Sequence, residues 1–339
     1  YTCGDLFHQK ALLDAAEKQL AVLLDRTRKS GMVSIVGLPV FADNQLFNCG
    51  AVIQMGKILG VVPKTYIPGY KEFYEERWFA SGANAVADSV RLCGQTVPFG
   101  TDLLFEDVKD GTLCFGVELC EDLWAPIPPS SYQALSGALL LFNLSASNEI
   151  IAKYEYRRQL IGQQSARCVA GYVYACAGID ESTTDVVFGG HSLIAENGVV
   201  LEESERFIRD EQVICTEIDV DRLVNDRIKS TPYMELNTGR KFRKIGFKSN
   251  DAAIDSLKRR VAVQPFVPSD AGMRDERCGE IFSIQTSALA KRLEHTGMKQ
   301  AVIGISGGLD STLALLVTAR TFDMLGISRK DIIAVTMPG

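Results

Sequence analysis

The stretch from Ala301 to Thr312 limits what this chain can fold into more than any other. Residues 301–305 are a short apolar run and predict a buried parallel strand. Ser306-Gly307-Gly308 then turns the chain, and Asp310-Ser311-Thr312 opens an apolar helical pattern through Leu313, Leu315, Leu316 and Val317. A strand, a glycine turn and a helix start in that order build an anion site. Glycine lets the backbone turn tightly and come close to a ligand. The first-turn N–H groups of the helix, at the positive end of its dipole, point at that ligand. The loop is not a Walker A motif, which needs Lys-Ser/Thr after its last glycine; Asp310 follows instead. An acid beside a polyphosphate site calls for a cation between them, and Mg²⁺ suits that place. The expected phosphate-holding residues are Gly304, Ser306, Gly307, Gly308, Asp310 and Ser311, with Asp310 at the metal.

A length of 339 residues suggests about two domains. With 46% hydrophobic and 23% charged residues, the chain reads as soluble and globular with ample core. A net charge of −6 gives no reason to expect a nucleic-acid partner. No apolar run approaches the roughly 18–20 residues of a membrane helix, so no membrane partner is expected. The nine cysteines are odd in number and none forms a C-x-x-C pair. That argues against a disulfide framework and a zinc site, and fits a reducing cytoplasm.

The expected order of elements alternates strands and helices. Residues 10–29 predict an amphipathic helix with Leu13, Ala16, Leu20, Leu23 and Leu24 on one face. Strands are expected at 33–38, at 48–54 and 57–62 as a hairpin about Met55-Gly56, at 112–118, 138–143 and 172–176, and at 190–195 and 199–203 as a second hairpin. A helix is expected over 152–170, and residues 213–218 are expected to close the set as a strand. The hairpins interrupt the alternation, so the sheets should be mixed. From about 221 to 270 periodicity is lost, with Pro232, Gly239, Gly246, Pro265, Pro268 and the basic cluster Arg240, Lys241, Arg243 and Lys244. This reads as a surface connector. A helix over 275–294 leads into the phosphate loop, and a strand begins at Ile332.

Cys120 follows the apolar run 112–119, and Lys64 lies in Val62-Pro63-Lys64-Thr65-Tyr66. Alone, such a cysteine reads as structural, like Cys114 on the same strand, and such a lysine as solvated. The strings around them change that reading. Residues 62–70 with 72–79, residues 116–124, and Asn143-Leu144-Ser145-Ala146-Ser147-Asn148 resemble the nitrilase, or carbon–nitrogen hydrolase, superfamily. Residues 172–178, 185–188 and 190–192 resemble its later core. The string Ser306-Gly307-Gly308-Leu309-Asp310-Ser311 resembles the pyrophosphate loop of ATP pyrophosphatases. The two halves together resemble the glutamine-dependent NAD synthetase family, as do residues 1–7, 181–185, 264–268 and 336–339.

This resemblance implies an α/β fold: a nitrilase-like α-β-β-α sandwich over 1–220, a connector over 221–274, and the first part of a Rossmann-like adenine nucleotide alpha hydrolase domain over 275–339. It implies a ligase that converts glutamine, ATP and nicotinic acid adenine dinucleotide into NAD, with Mg²⁺, as a homo-oligomer. Cys120 would be the nucleophile and Lys64 the oxyanion partner, since an adjacent ammonium favours a thiolate and stabilises a tetrahedral oxyanion. Tyr70, Glu121, Trp124, Ser147 and Lys153 would contact glutamine, with Glu121 taking its α-ammonium. Core packing is the other reading of Tyr70 and Trp124, and a helix N-cap the other reading of Ser147. The family's catalytic glutamate precedes the segment that begins at Tyr1, and Glu72, Glu75 and Glu121 stand at other motif positions, so the sequence is expected to be a fragment of its enzyme. A stand-alone amidase or carbamoylase, or a scaffold, is the rival; the loop Ser306 to Ser311 speaks against the amidase.

Overall fold

Helix α1 (Lys10–Arg26) buries Leu20 and Leu24, one turn apart, in the computed structural model of the protein. That structure describes residues 2–109, 111–235, 239–250 and 254–336. It falls into two compact units, Tyr1–Arg260 and Val261–Gly339. Tyr1 and Met337–Gly339, which belong to two of the strings quoted above, lie outside the described residues.

In the first unit α1 lies on an antiparallel sheet of β1 (Ser34–Ala42), β2 (Gln45–Gln54) and β3 (Lys57–Pro63). A small hairpin, β4 (Ser89–Leu92) and β5 (Gln95–Pro98), shares that outer core through Val90, Leu92 and Val97. The second sheet has seven strands. They are β6 (Leu103–Asp107), β7 (Cys114–Leu119), β8 (Leu140–Ser145), β9 (Gly171–Cys176), β10 (Leu193–Glu196), β11 (Val199–Glu203) and β12 (Arg243–Phe247), in the spatial order β11-β10-β9-β8-β7-β6-β12. Strands β7, β8 and β9 run parallel, and helices α2 (Pro129–Leu135) and α3 (Lys153–Arg167) make the crossovers between them. Val52 and Val62 of the first sheet pack on Phe105, Phe115 and Val117 of the second. The far face of the second sheet buries Cys114, Leu141, Tyr172 and Tyr174 against Ala134 and Ile161 of the helices. The layers are therefore helix, sheet, sheet, helix, the α-β-β-α sandwich expected. Gly116 admits α2 closely: a Cβ there would stand 2.2 Å from Gln133 Oε1.

Two expectations fail. Residues 213–218 form no strand. Ile218 instead lies against Gly171, where a Cβ would meet it at 2.7 Å, and the Glu217 carboxylate takes the amides of Lys258 and Arg259 at 2.7–3.0 Å. These contacts use the segment for packing and leave it without a ladder. The stretch read as a connector contributes α4 (Val220–Ile228), α5 (Thr231–Glu235) and the edge strand β12, parallel to β6. The basic residues are the reason: Arg243 grips the Asp102 carboxylate at 2.6 and 2.8 Å and the Phe99 carbonyl at 2.6 Å, while Phe247 enters the inter-sheet core.

In the second unit α6 (Ala271–Thr296) starts at Asp270, whose side chain accepts from the Met273 amide at 2.8 Å, and stops at Gly297 with φ 69°. Strand β13 (Ala301–Gly304), helix α7 (Leu309–Leu325) and strand β14 (Ile332–Val335) form a parallel strand–helix–strand unit, and α7 packs on α6, where Thr321 Oγ1 donates to the Thr286 carbonyl at 3.3 Å. No helix of the described residues is long and apolar enough to cross a membrane.

Candidate active site

Cys120 and Lys64 stand at the ends of strands from different sheets, β7 and β3. At Cys120 the chain leaves the strand through φ 43° and enters a 3-10 turn, Cys120–Trp124. A positive φ is costly for a residue with a Cβ and marks a site held by its surroundings. The hold is visible: the Cys120 amide donates to Asn143 Oδ1 at 3.0 Å, and Asn143 donates to the Tyr172 hydroxyl at 3.2 Å. Tyr172 in turn donates to the buried Glu118 carboxylate. With its own amide occupied, Cys120 leaves the Glu121 N–H as the amide next to the thiol.

Lys64 is 2% exposed and pairs with the Glu75 carboxylate, itself 4% exposed. Its amide donates to the Asn48 carbonyl at 2.8 Å, and its carbonyl accepts from Gly82 at 2.7 Å. The other Glu75 oxygen accepts from Asn48 Nδ2 at 2.6 Å. Burial acts against the Lys64 ammonium, but the charges of Glu75 and Cys120 and the Glu75 hydrogen bond outweigh it, and the net direction is upward. Lys64, Glu75, Asn48, Cys120 and Glu121 line one cavity of about 290 Å³ with Phe73, Trp78 and Leu144.

A second cavity, of about 350 Å³, shares Phe73, Cys120 and Glu121 with the first. Its other walls are Tyr70, Glu72, Trp124, Ser147, Ile150, Lys153 and Tyr156. All five residues expected to contact glutamine lie here. Tyr70 donates to Glu121 Oε1 at 2.7 Å; burial and that carboxylate push its phenol up. Trp124 is half-buried and stacks on Tyr156 at 5.5 Å, so it faces the cavity and not a closed core. Lys153 donates to Asn148 Oδ1 at 2.5 Å and lies 5.3 Å from the Phe73 and Trp124 ring centroids. Burial pushes its ammonium down. Ser147 is 2% exposed and its hydroxyl has no hydrogen-bond partner among the described residues. It caps no helix, because α3 begins at Lys153 behind Ala152.

Sequence reasoning missed Glu75, Asn48 and Asn143 as parts of this site. Asn143 could have been found in the string it begins. Glu75 lies inside the string 72–79, but its pairing with Asn48, which belongs to no such string, depends on a loop folding back onto β3. Burial raises Cys114, and burial pushes Cys176 up to about 11.

The residues expected to hold phosphate lie together in the second unit. Gly308 precedes α7, so Leu309, Asp310 and Ser311 occupy its first turn, where amides have no carbonyl one turn back. Gly307 has φ 82°, and a Cβ on Gly304 or Gly307 would meet nothing within 4 Å. The space beside these two glycines is open. The Ser306 and Ser311 hydroxyls share a hydrogen bond at 3.3 Å, and Gly308 N donates to Ser306 Oγ at 3.3 Å. Asp310 is exposed. Among the described residues no group of three or more His, Cys, Asp or Glu could hold a metal alone. One carboxylate with substrate phosphates is a set Mg²⁺ accepts.

Residues 1–227 match the carbon-nitrogen hydrolase family, and residues 281–339 match the NAD synthase family. Over its whole length the chain is 41% identical to the glutamine-dependent NAD(+) synthetase of Mycobacterium tuberculosis, of which it covers 51%. It resembles the solved structure of the glutamine-dependent NAD+ synthetase from Acinetobacter baumannii in complex with adenosine diphosphate, at TM-score 0.52 and 21% identity over all of this chain and 51% of that one. A carbon-nitrogen hydrolase from Helicobacter pylori G27 aligns at TM-score 0.52 and 19% identity, over 67% of this chain and 75% of its own. These two structural likenesses bear on the fold alone. The chain spans about half the length of the curated relatives it matches. By the match over residues 1–227 and the layered fold beneath it, the chain belongs to the carbon–nitrogen hydrolase family.

Proposed function

We propose that the first unit hydrolyses the side-chain amide of glutamine on Cys120, and that the protein as a whole is a glutamine-dependent NAD+ synthetase. One observation carries this reading: Cys120 lies where the Lys64–Glu75 cavity meets a pocket walled by Glu121, Ser147 and Lys153. Glutamine has an amide to cleave and a charged α-carbon to hold. The Glu121 carboxylate suits the α-ammonium, and Lys153 and Ser147 suit the α-carboxylate.

The Cys120 sulfur attacks the amide carbon and ammonia leaves, giving a thioester that water cleaves to glutamate. Lys64 and the Glu121 N–H stabilise the oxyanion of both tetrahedral intermediates. Glu75 is committed through its two oxygens to Lys64 and Asn48. It therefore holds the ammonium, and the proton shuttle stays with the glutamate that the family resemblance puts ahead of Tyr1. In the second unit the phosphate loop would take the polyphosphate of ATP. The carboxylate of nicotinic acid adenine dinucleotide attacks the α-phosphorus, the α–β anhydride breaks and pyrophosphate leaves, and ammonia then displaces AMP from the acyl adenylate. Asp310 would hold Mg²⁺, which neutralises polyphosphate charge when bound. The nine free cysteines support a reducing cytoplasm, and the family resemblance supports a homo-oligomer. The match of residues 281–339 to NAD synthase speaks against a stand-alone amidase.

The test uses full-length protein. Incubated with glutamine it should release glutamate and ammonia, and a glutamine-mimicking diazo-ketone should label Cys120 by mass mapping. A label on Cys114 or Cys176, or no glutamate, overturns the reading.

A further inference from the structure

The two reacting groups come from different sheets. Lys64 follows β3 of the first sheet, and Cys120 follows β7 of the second. Facing sheets pack through apolar side chains, here Val52 and Val62 against Phe115 and Val117. Such packing sets a spacing of about 10 Å between sheets but does not lock one against sliding over the other. Catalysis needs that lock, because the thiol and the ammonium must meet one carbonyl group at once.

Asp122 supplies it. The residue is 1% exposed. Its Oδ1 accepts from the Thr65 amide at 3.1 Å and the Tyr66 amide at 2.8 Å, directly after Lys64. Its Oδ2 accepts from the Leu119 amide at 3.0 Å, directly before Cys120. One carboxylate thus ties the chain on one side of the site to the chain on the other. We propose that Asp122 is a positioning residue that sets the place of Lys64 relative to Cys120 across the sheet interface. This inference rests on the hydrolase reading above.

Tyr66 bonds only Oδ1 and Leu119 only Oδ2, while the Thr65 amide is shared between Oδ1 at 3.1 Å and Oδ2 at 3.4 Å, so the Leu119 side can be cut with the other side largely kept. In Asp122→Asn the remaining oxygen keeps Thr65 and Tyr66, and the new NH₂ faces the Leu119 N–H, to which it cannot bond. In Asp122→Ala both sides are lost. In full-length protein, glutamate release should fall about 100-fold in kcat for either variant, the usual result of a displacement near 1 Å, with KM nearly unchanged. Alkylation of Cys120 by iodoacetamide at pH 7 should slow about tenfold in step with it, because the ammonium no longer stands by the thiol. A merely structural role would lower the melting temperature and leave both rates intact at temperatures where the variant is folded. If neither variant folds, Tyr66→Pro removes the donor at 2.8 Å from a residue whose side chain is 41% exposed, and should slow both rates about tenfold. Folded variants within twofold of the parent in kcat and alkylation overturn the proposal. A parent that releases no glutamate, with alkylation still slowed in the variants, overturns the glutaminase reading and supports the tie.

Discussion

Lys64 and Glu75 form an ion pair in which both side chains are at least 95% removed from solvent. Their loop, residues 65–74, leaves β3 and folds back so that Glu75 N reaches the Pro68 carbonyl at 3.0 Å and its carboxylate covers the ammonium. Two charges taken out of water stabilise a fold little compared with apolar residues of the same size. On the proposed reaction their value is chemical: a lysine kept charged in the cavity that Cys120 also lines.

Removing one partner should show this asymmetry. Glu75→Ala leaves a buried ammonium unpaired and should cost about 3–5 kcal/mol of unfolding free energy. The double change Lys64→Met with Glu75→Leu should recover most of that loss and still release no glutamate. Urea unfolding of both proteins checks it. A double variant as unstable as the single one would mean the pair holds the fold in its own right.

Ser147 separates binding from stability. Among the described residues its buried hydroxyl has no partner, so Ser147→Ala removes no hydrogen bond seen there and should leave the melting temperature unchanged or slightly raised. If the hydroxyl serves glutamine, KM should rise about tenfold, the worth of one good hydrogen bond, with kcat little affected. An unchanged KM would remove Ser147 from the pocket's function.

The layered fold and the family were legible because long strings announced them: the run into Cys120, the stretch around Lys64 and the loop from Ser306 to Ser311. Other features were not. Strand β12 was hidden because Arg243 and Lys244 look solvated, while in the fold they reach Asp102 and Glu106 and let Phe247 turn inward. Residues 213–218 misled in the opposite direction, since apolar content suggests a strand but only a free sheet edge makes one. Glu75 and Asp122 lie inside strings that resemble the family, but their roles were hidden because their bonds run to side chains and backbone 11 and 57 residues away, and no local period marks such pairs.

The phosphate loop gives a prediction independent of the thiol. Asp310 is exposed in the first turn of α7, where an acid is worth about 0.3–1 kcal/mol against the helix dipole. Asp310→Ala should therefore leave full-length protein folded, with little change in its melting temperature. It should abolish ATP-dependent NAD formation supplied with free ammonia, which bypasses Cys120. Near-normal synthesis by this variant would show that the loop serves another purpose.

Asp122 makes a prediction in which stability and activity move apart with pH. Burial, and then the neighbouring Glu118 charge, push its carboxyl up from 3.8 to about 7; hydrogen bonds from Leu119 and Tyr66 and the charge of Lys64 act the other way. A carboxyl whose folded value is raised contributes stability that is fully present below the unfolded value. That contribution is lost as pH rises from about 4 to about 7, and the loss is of order 4 kcal/mol. Asp122→Asn carries no such titration. The stability gap between parent and variant, read from urea unfolding, should therefore be largest near pH 4 and shrink steadily up to pH 7, with the variant relatively best above it. Glutamate release should follow the opposite course: above pH 7 the parent holds an ionised carboxylate that accepts on both oxygens, and the variant's deficit in kcat should be greatest there. A stability gap constant between pH 4 and pH 8 would show that Asp122 does not titrate in that range. A kcat deficit that tracks the stability gap would reduce Asp122 to a part of the core.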